Sequence, residues 1–287
     1  MSQFFSLEGS FYKYGGMLAD IMILSLIWLV ISSPFLFVSF TWMSAFLASE
    51  VPFAEIPLGI DIILIFAVSL PLVGVATTSM YYVTTRRIAN REGYIFRDFF
   101  SSFKSNFKKV SLLTLTVFAV YLILFINVTR IEAVGSLSVI ILPFQICFLI
   151  ELTLITFYVF PLAARFDMKV RQIFKSAFYM ANRHLLTSIT LAVLFVAIVL
   201  GLNFYPVMFI VAPGLYVWLS SYMLMRIFKK YRPEMDKDPM QEIAEIEAAI
   251  AASKDTVEEH HRVETARMEA AGAKEEMEQE LQNEQDA

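Results

Sequence analysis

The chain has 287 residues, and 57% of them are hydrophobic, with a mean hydropathy of +0.62. That is well above the roughly 45–50% apolar content of soluble domains, so much of the surface must face something other than water. The net charge of −4 conceals two regions: Met1–Pro233 holds 18 Lys/Arg against 10 Asp/Glu, and Glu234–Ala287 holds 5 against 17.

The N-terminus carries only Lys13 as a basic residue before the first apolar run, and Ser32-Ser33-Pro34 does not form a small-x-small cleavage site. The run is expected to be a retained signal anchor. Apolar stretches long enough for a hydrocarbon core of about 30 Å follow one another through Met17–Phe40, Leu58–Val83, Val110–Val128, Val134–Phe160, Leu185–Leu202 and Tyr205–Met225. Barrel-type alternating segments are absent, and backbone groups cannot stay unpaired in lipid, so the expected fold is all-α, a polytopic bundle of about six transmembrane helices.

Orientation is read from Lys and Arg, which are held on the cytoplasmic side. Arg86, Arg87, Arg91, Arg97, Lys104, Lys108 and Lys109 follow the second run, and Arg165, Lys169, Arg171, Lys175 and Arg183 follow the fourth. Arg226, Lys229, Lys230 and Arg232 follow the sixth, whereas the three opposite connections supply only Arg130. The expectation is a multi-pass cell-membrane protein with both ends in the cytoplasm. Its outer connections are too short for a large external binding domain.

Both basic loops, 86–109 and 165–184, show helical periodicity. Phe96, Phe99, Phe100, Phe103 and Phe107 share a face beside Arg97, Lys104 and Lys108, and Ile173, Phe174, Ala177, Phe178 and Ala181 share another beside Lys175. Each is expected to be an amphipathic helix in the cytoplasmic interface. Two readings stay open: an elbow anchored by snorkelling cations, or a partner-docking surface built on Arg97, Phe100, Phe103, Lys104, Asn106, Lys108, Phe174, Lys175 and Phe178. The loops also resemble each other, since Ile95-Phe96-Arg97 with Phe100 parallels Ile173-Phe174-Lys175 with Phe178 and an asparagine follows in both, Asn106 and Asn182, at offsets differing by two, which hints at duplicated helix–elbow–helix units.

Beyond Pro233 the composition turns acidic. Ile243, Ile246, Ile250 and Val257 follow a three-four seam, which suggests a short coiled coil over Met240–Val257. Self-association and a merely soluble tail are both open, because two heptads are marginal alone.

Chemistry-bearing residues are sparse. Glu151 falls inside the fourth apolar run, where an ionised carboxylate costs on the order of 3 kcal/mol or more, so it must be protonated, paired or beside a wet cavity. Gln145 is expected on a similar face. A structural acid and a proton or cation site are the two readings, and Pro34, Pro71, Pro143 and Pro161 are candidate kinks. Cys147 is the only cysteine and the histidines are His184, His260 and His261. There is no phosphate-binding Gly-rich loop and no His-Glu-x-x-His, so no catalytic residue, cofactor or metal site is expected.

The stretch Tyr94-Ile95-Phe96-Arg97-Asp98-Phe99-Phe100-Ser101-Ser102-Phe103-Lys104-Ser105-Asn106-Phe107-Lys108, preceded by Ala76–Val83, resembles the signature of the YesL-like bacterial membrane proteins. Phe160–Asp167 with Ile173–Phe178 is similar to that family's second recurrent stretch, and Trp28 before Ser33-Pro34 fits its first helix. The resemblance spans roughly Phe4 to Arg232. It implies a polytopic protein of unknown biochemical activity, of a family often encoded beside carbohydrate ABC-transporter genes, and hence an accessory role in carbohydrate uptake. The partners it suggests are the bilayer, ABC-transporter subunits or a second copy through the tail, with no nucleic acid among them.

Overall fold

A computed structural model of the chain describes residues 10–48, 59–89 and 93–231. Among these residues the fold is entirely helical, with no strand. The helices are α1 (Ser10–Ala48), α2 (Ile60–Ile88), α3 (Ile95–Thr129), α4 (Ser138–Arg165), α5 (Val170–Arg183), α6 (Leu185–Phe204) and α7 (Ala212–Tyr231). Short 3-10 turns at Ile131–Leu137 and Pro206–Ile210 precede α4 and α7. The turn before α4 includes Gly135 at φ 62, which a side chain would disfavour. The chain divides into two units, Met1–Phe228 and Lys229–Ala287. The coiled-coil expectation over Met240–Val257 lies outside the described residues.

Five helical segments are long and apolar enough to cross a membrane: Gly15–Ala48, Ile60–Ile88, Ile95–Thr129, Gly135–Arg165 and Leu185–Leu202. The sixth apolar run does not form such a segment. Pro206 opens a 3-10 turn within it, and α7 then starts only at Ala212 and carries Arg226, Lys229 and Lys230 in its closing turns. The uncharged part of α7, residues 212–225, is by itself shorter than the roughly 17–25 residues that a helical span needs. Pro34, Pro71, Pro143 and Pro161 all lie inside continuous helices, so none of them ends a run.

Helix α2 sits at the centre, packed on α1, α3 and α4. Its buried positions include Gly74, Ala76, Thr78 and Ser79, and these small residues let neighbouring helices come close. A Cβ at Gly74 would strike the Thr114 side chain of α3, and one at Gly214 would strike Ser25 and the Ile21 carbonyl of α1. The Gly214 N–H donates to Ser25 Oγ at 2.8 Å, and Ser25 Oγ donates to the Val211 carbonyl at 3.2 Å, which ties the start of α7 to α1. Buried hydroxyls donate back to the preceding turn, as Ser79 does to Val75 O at 2.9 Å and Thr114 to Val110 O at 2.8 Å. These two hydroxyls are thereby satisfied without water, whereas the buried Ser32, Thr78 and Ser221 hydroxyls have no hydrogen-bond partner among the described residues.

Candidate functional site at the basic end of the bundle

The segment Ile95–Lys109 was expected as a separate interfacial helix. It is instead the first part of α3, which runs unbroken for 35 residues. No Gly or Pro stands between Ile95 and Thr129, so nothing interrupts the backbone hydrogen-bond ladder. At 1.5 Å per residue α3 is about 52 Å long, against roughly 30 Å of hydrocarbon. Its amphipathic part therefore extends past the apolar part along the same axis.

Asp98 fixes the root of this extension. The residue is 8% exposed, and its carboxylate lies 3.6 Å from Arg86 of α2 and 3.8 Å from Arg97. A Cβ at Gly93 would strike that carboxylate, so a side chain there would displace it. One helix end further, Arg87 pairs with Asp20 of α1 at 3.4 Å. Among the described residues, the acids paired with these arginines belong to α1 and α3.

The aromatic face of α3 is divided. Phe99 is fully buried and stacks on Phe103 at 6.3 Å, whereas Phe96 and Phe100 are 58% and 51% exposed, with Phe107 beside them. Lys104 and Lys108 are exposed, and Arg97 lies over the Tyr94 ring at 5.3 Å. At 100° per residue Phe96, Phe100, Phe103 and Phe107 form one stripe, with Arg97, Lys104 and Lys108 along its flank. Asn106 does not join this surface; its amide donates to Ser102 O at 3.2 Å within α3.

The second basic segment behaves differently. After a short extended link, α5 doubles back on α4 and buries Ile173, Ala177, Met180 and Ala181. Lys175 and Phe178 are exposed and Phe174 is half-buried, so Phe178 lies outside the apolar face expected for it. The reversal carries Asn182 to Glu151, where the Asn182 amide donates to Glu151 Oε1 at 2.6 Å. Glu151 is therefore paired. Gln145 is not on its face: six residues turn the helix by about 600°, which leaves the two side chains about 120° apart. Gln145 instead lines an apolar cavity of about 510 Å³ with Trp42, Phe66 and Phe125. The two basic segments are thus not structural duplicates, one being a span's extension and the other a folded-back helix.

The stretches 94–108 and 160–167 do meet in space. Between α3 and the end of α4 lies a polar cavity of about 410 Å³ lined by Ser105, Asn106, Lys109, Arg165 and Asp167. Lys109 Nζ stands 3.3 Å from the Asp167 carboxylate. Sequence reasoning passed over Lys109, Arg165 and Asp98 as generic charges; for Lys109 and Arg165 the signal available was their place at the end of an apolar run, Val110 onward in α3 and up to Ala164 in α4. Among the described residues no group of three His, Cys, Asp or Glu side chains is placed to hold a metal ion.

The fold and this end of it define a helical protein with five membrane-span-like helices and a cationic, aromatic extension of α3. Residues 21–128, which run from α1 to near the end of α3, match a family described as "Protein of unknown function, DUF624". The matched region includes the 94–108 stretch, and the 160–178 stretch lies beyond it. No curated protein and no solved structure matches the chain.

Proposed function

We propose that the protein is a non-enzymatic, multi-pass accessory protein of the cell membrane that presents the α3 extension to an acidic partner surface on the cytoplasmic side. The observation that carries this reading is the exposed stripe of Phe96, Phe100 and Phe107 flanked by exposed Lys104 and Lys108. Exposed aromatics with adjacent cations are what interfaces use as anchors and steering charges. The Asp98 clamp supports it further, because it holds the stripe on a rigid helix. The finer family reading, YesL-like, suggests subunits of a carbohydrate ABC transporter as the partner. In this reading the positive-inside distribution places the basic end and the acidic tail in the cytoplasm, with the N-terminus on the same side. An even number of crossings then requires the Tyr205–Tyr231 region to complete the sixth passage with its 3-10 turn and α7 together.

Mild-detergent affinity purification with mass spectrometry of co-purifying proteins tests this directly. The intact chain is expected to recover defined membrane-transport subunits, and truncation after Pro233 reports whether the tail contributes to their retention. If the intact chain retains no partner at any detergent strength that preserves its fold, the accessory reading fails.

The alternative, a small transporter or channel that uses Glu151, draws on that acid's place in the apolar run of α4. The 2.6 Å bond from Asn182 favours a structural role instead.

A further inference from the structure

We infer that the polar cavity between α3 and α4 is a binding site for the phosphate of an anionic phospholipid headgroup. This site is distinct from the aromatic stripe and does not rest on the partner reading. Its walls carry two cations, Lys109 from α3 and Arg165 from the last turn of α4, with Ser105 and Asn106 beside them. At about 410 Å³ it has room for a glycerophosphate group. The apolar part of α3 begins at Val110 and that of α4 ends at Ala164, so the cavity lies at the depth where headgroups meet helix ends. Basic pockets between membrane helices are suited to phosphate-bearing headgroups, and guanidinium groups bind phosphate bidentately.

The present acceptor of Lys109 is a weak competitor. The Lys109 side chain is 22% exposed, whereas that of Asp167, 3.3 Å away, is fully exposed to solvent. A solvated carboxylate held by one contact gains little from the pairing. A phosphodiester that reaches Lys109 replaces it, with Arg165 in the wall of the same cavity. Asp167, already fully exposed, loses no burial in the exchange.

The test uses the intact, delipidated protein in detergent, with native mass spectrometry of retained lipid and thermal unfolding as readouts. Added phosphatidylglycerol is expected to bind and to raise the melting temperature, with added phosphatidylcholine bound at least tenfold less. Arg165→Gln and Lys109→Gln are each expected to reduce phosphatidylglycerol retention by roughly fivefold, and Lys104→Gln, outside the cavity, to leave it unchanged. Asp167→Asn, at a fully exposed side chain, is expected to raise retention. Equal retention of the two lipids, or no response to Asp167→Asn together with none to Arg165→Gln, would overturn the inference. A stabilisation by inorganic phosphate alone that matches that by phosphatidylglycerol would also overturn it, by assigning the cavity to a soluble phosphate compound.

Discussion

Replacing Arg97, Lys104 and Lys108 together with Glu is expected to reduce partner recovery in mild detergent by more than tenfold while the protein stays folded. The Arg97 side chain is 72% exposed and sits 3.8 Å from Asp98, a solvent-facing pair whose loss costs at most about 1 kcal/mol. Arg86 remains on Asp98 from the other side, so the clamp survives. Against an acidic partner, three attractive charges become three repulsive ones, and juxtaposed like charges cost several kcal/mol across an interface. Co-purification quantified against the wild-type chain, with a melting curve for each, separates lost contact from lost fold. Undiminished recovery would mean that the stripe does not touch the partner.

Glu151 gives the second large effect, and its two substitutions are expected to differ. Glu151→Leu removes the acceptor on α4 from the exposed Asn182 amide, which keeps only its bond to the Phe178 carbonyl at 3.1 Å, a loss of about 1 kcal/mol. Because the bond tethers the end of α5 to α4, the loss is expected to appear as a lower melting temperature and reduced accumulation of the protein. Glu151→Gln keeps an oxygen that accepts from Asn182, so stability should stay closer to that of wild type. A transport phenotype in Glu151→Gln with unchanged melting temperature would instead assign the carboxylate a proton or cation role and revive the transporter alternative.

The helical class and five of the apolar runs were legible because hydropathy over a 20-residue window reports what faces lipid, whatever the helices do to one another. The continuity of α3 was equally legible in the lack of Gly and Pro from Ile95 to Thr129. Reading Ile95–Lys109 as an elbow gave more weight to its charges than to its unbroken helical propensity. In the sixth run the opposite happened, since Pro206 and Pro213 cut a stretch that hydropathy alone reads as continuous.

The pairings that define the candidate sites could not be read in advance. Lys109 meets Asp167 from 58 residues away, and Asn182 meets Glu151 across 31. Hydrophobic periodicity fixes a side chain's angle on its own helix, but not which neighbouring helix it faces. The face shared by Phe96, Phe100 and Phe107 was legible for that reason, and the destination of Asn182 was not.

The central claim is that the basic end of the bundle, with the α3 extension, faces the cytoplasm where a partner can reach it. Cysteine accessibility in intact cells tests this most directly, because the chain has one cysteine to remove. In a Cys147→Ser background, Ser136→Cys lies at an exposed position in the turn before α4 and Lys104→Cys at an exposed position on the extension. A membrane-impermeant maleimide is expected to label Ser136→Cys in intact cells and Lys104→Cys only after permeabilisation. Labelling of Lys104→Cys from outside would invert the topology and contradict the account.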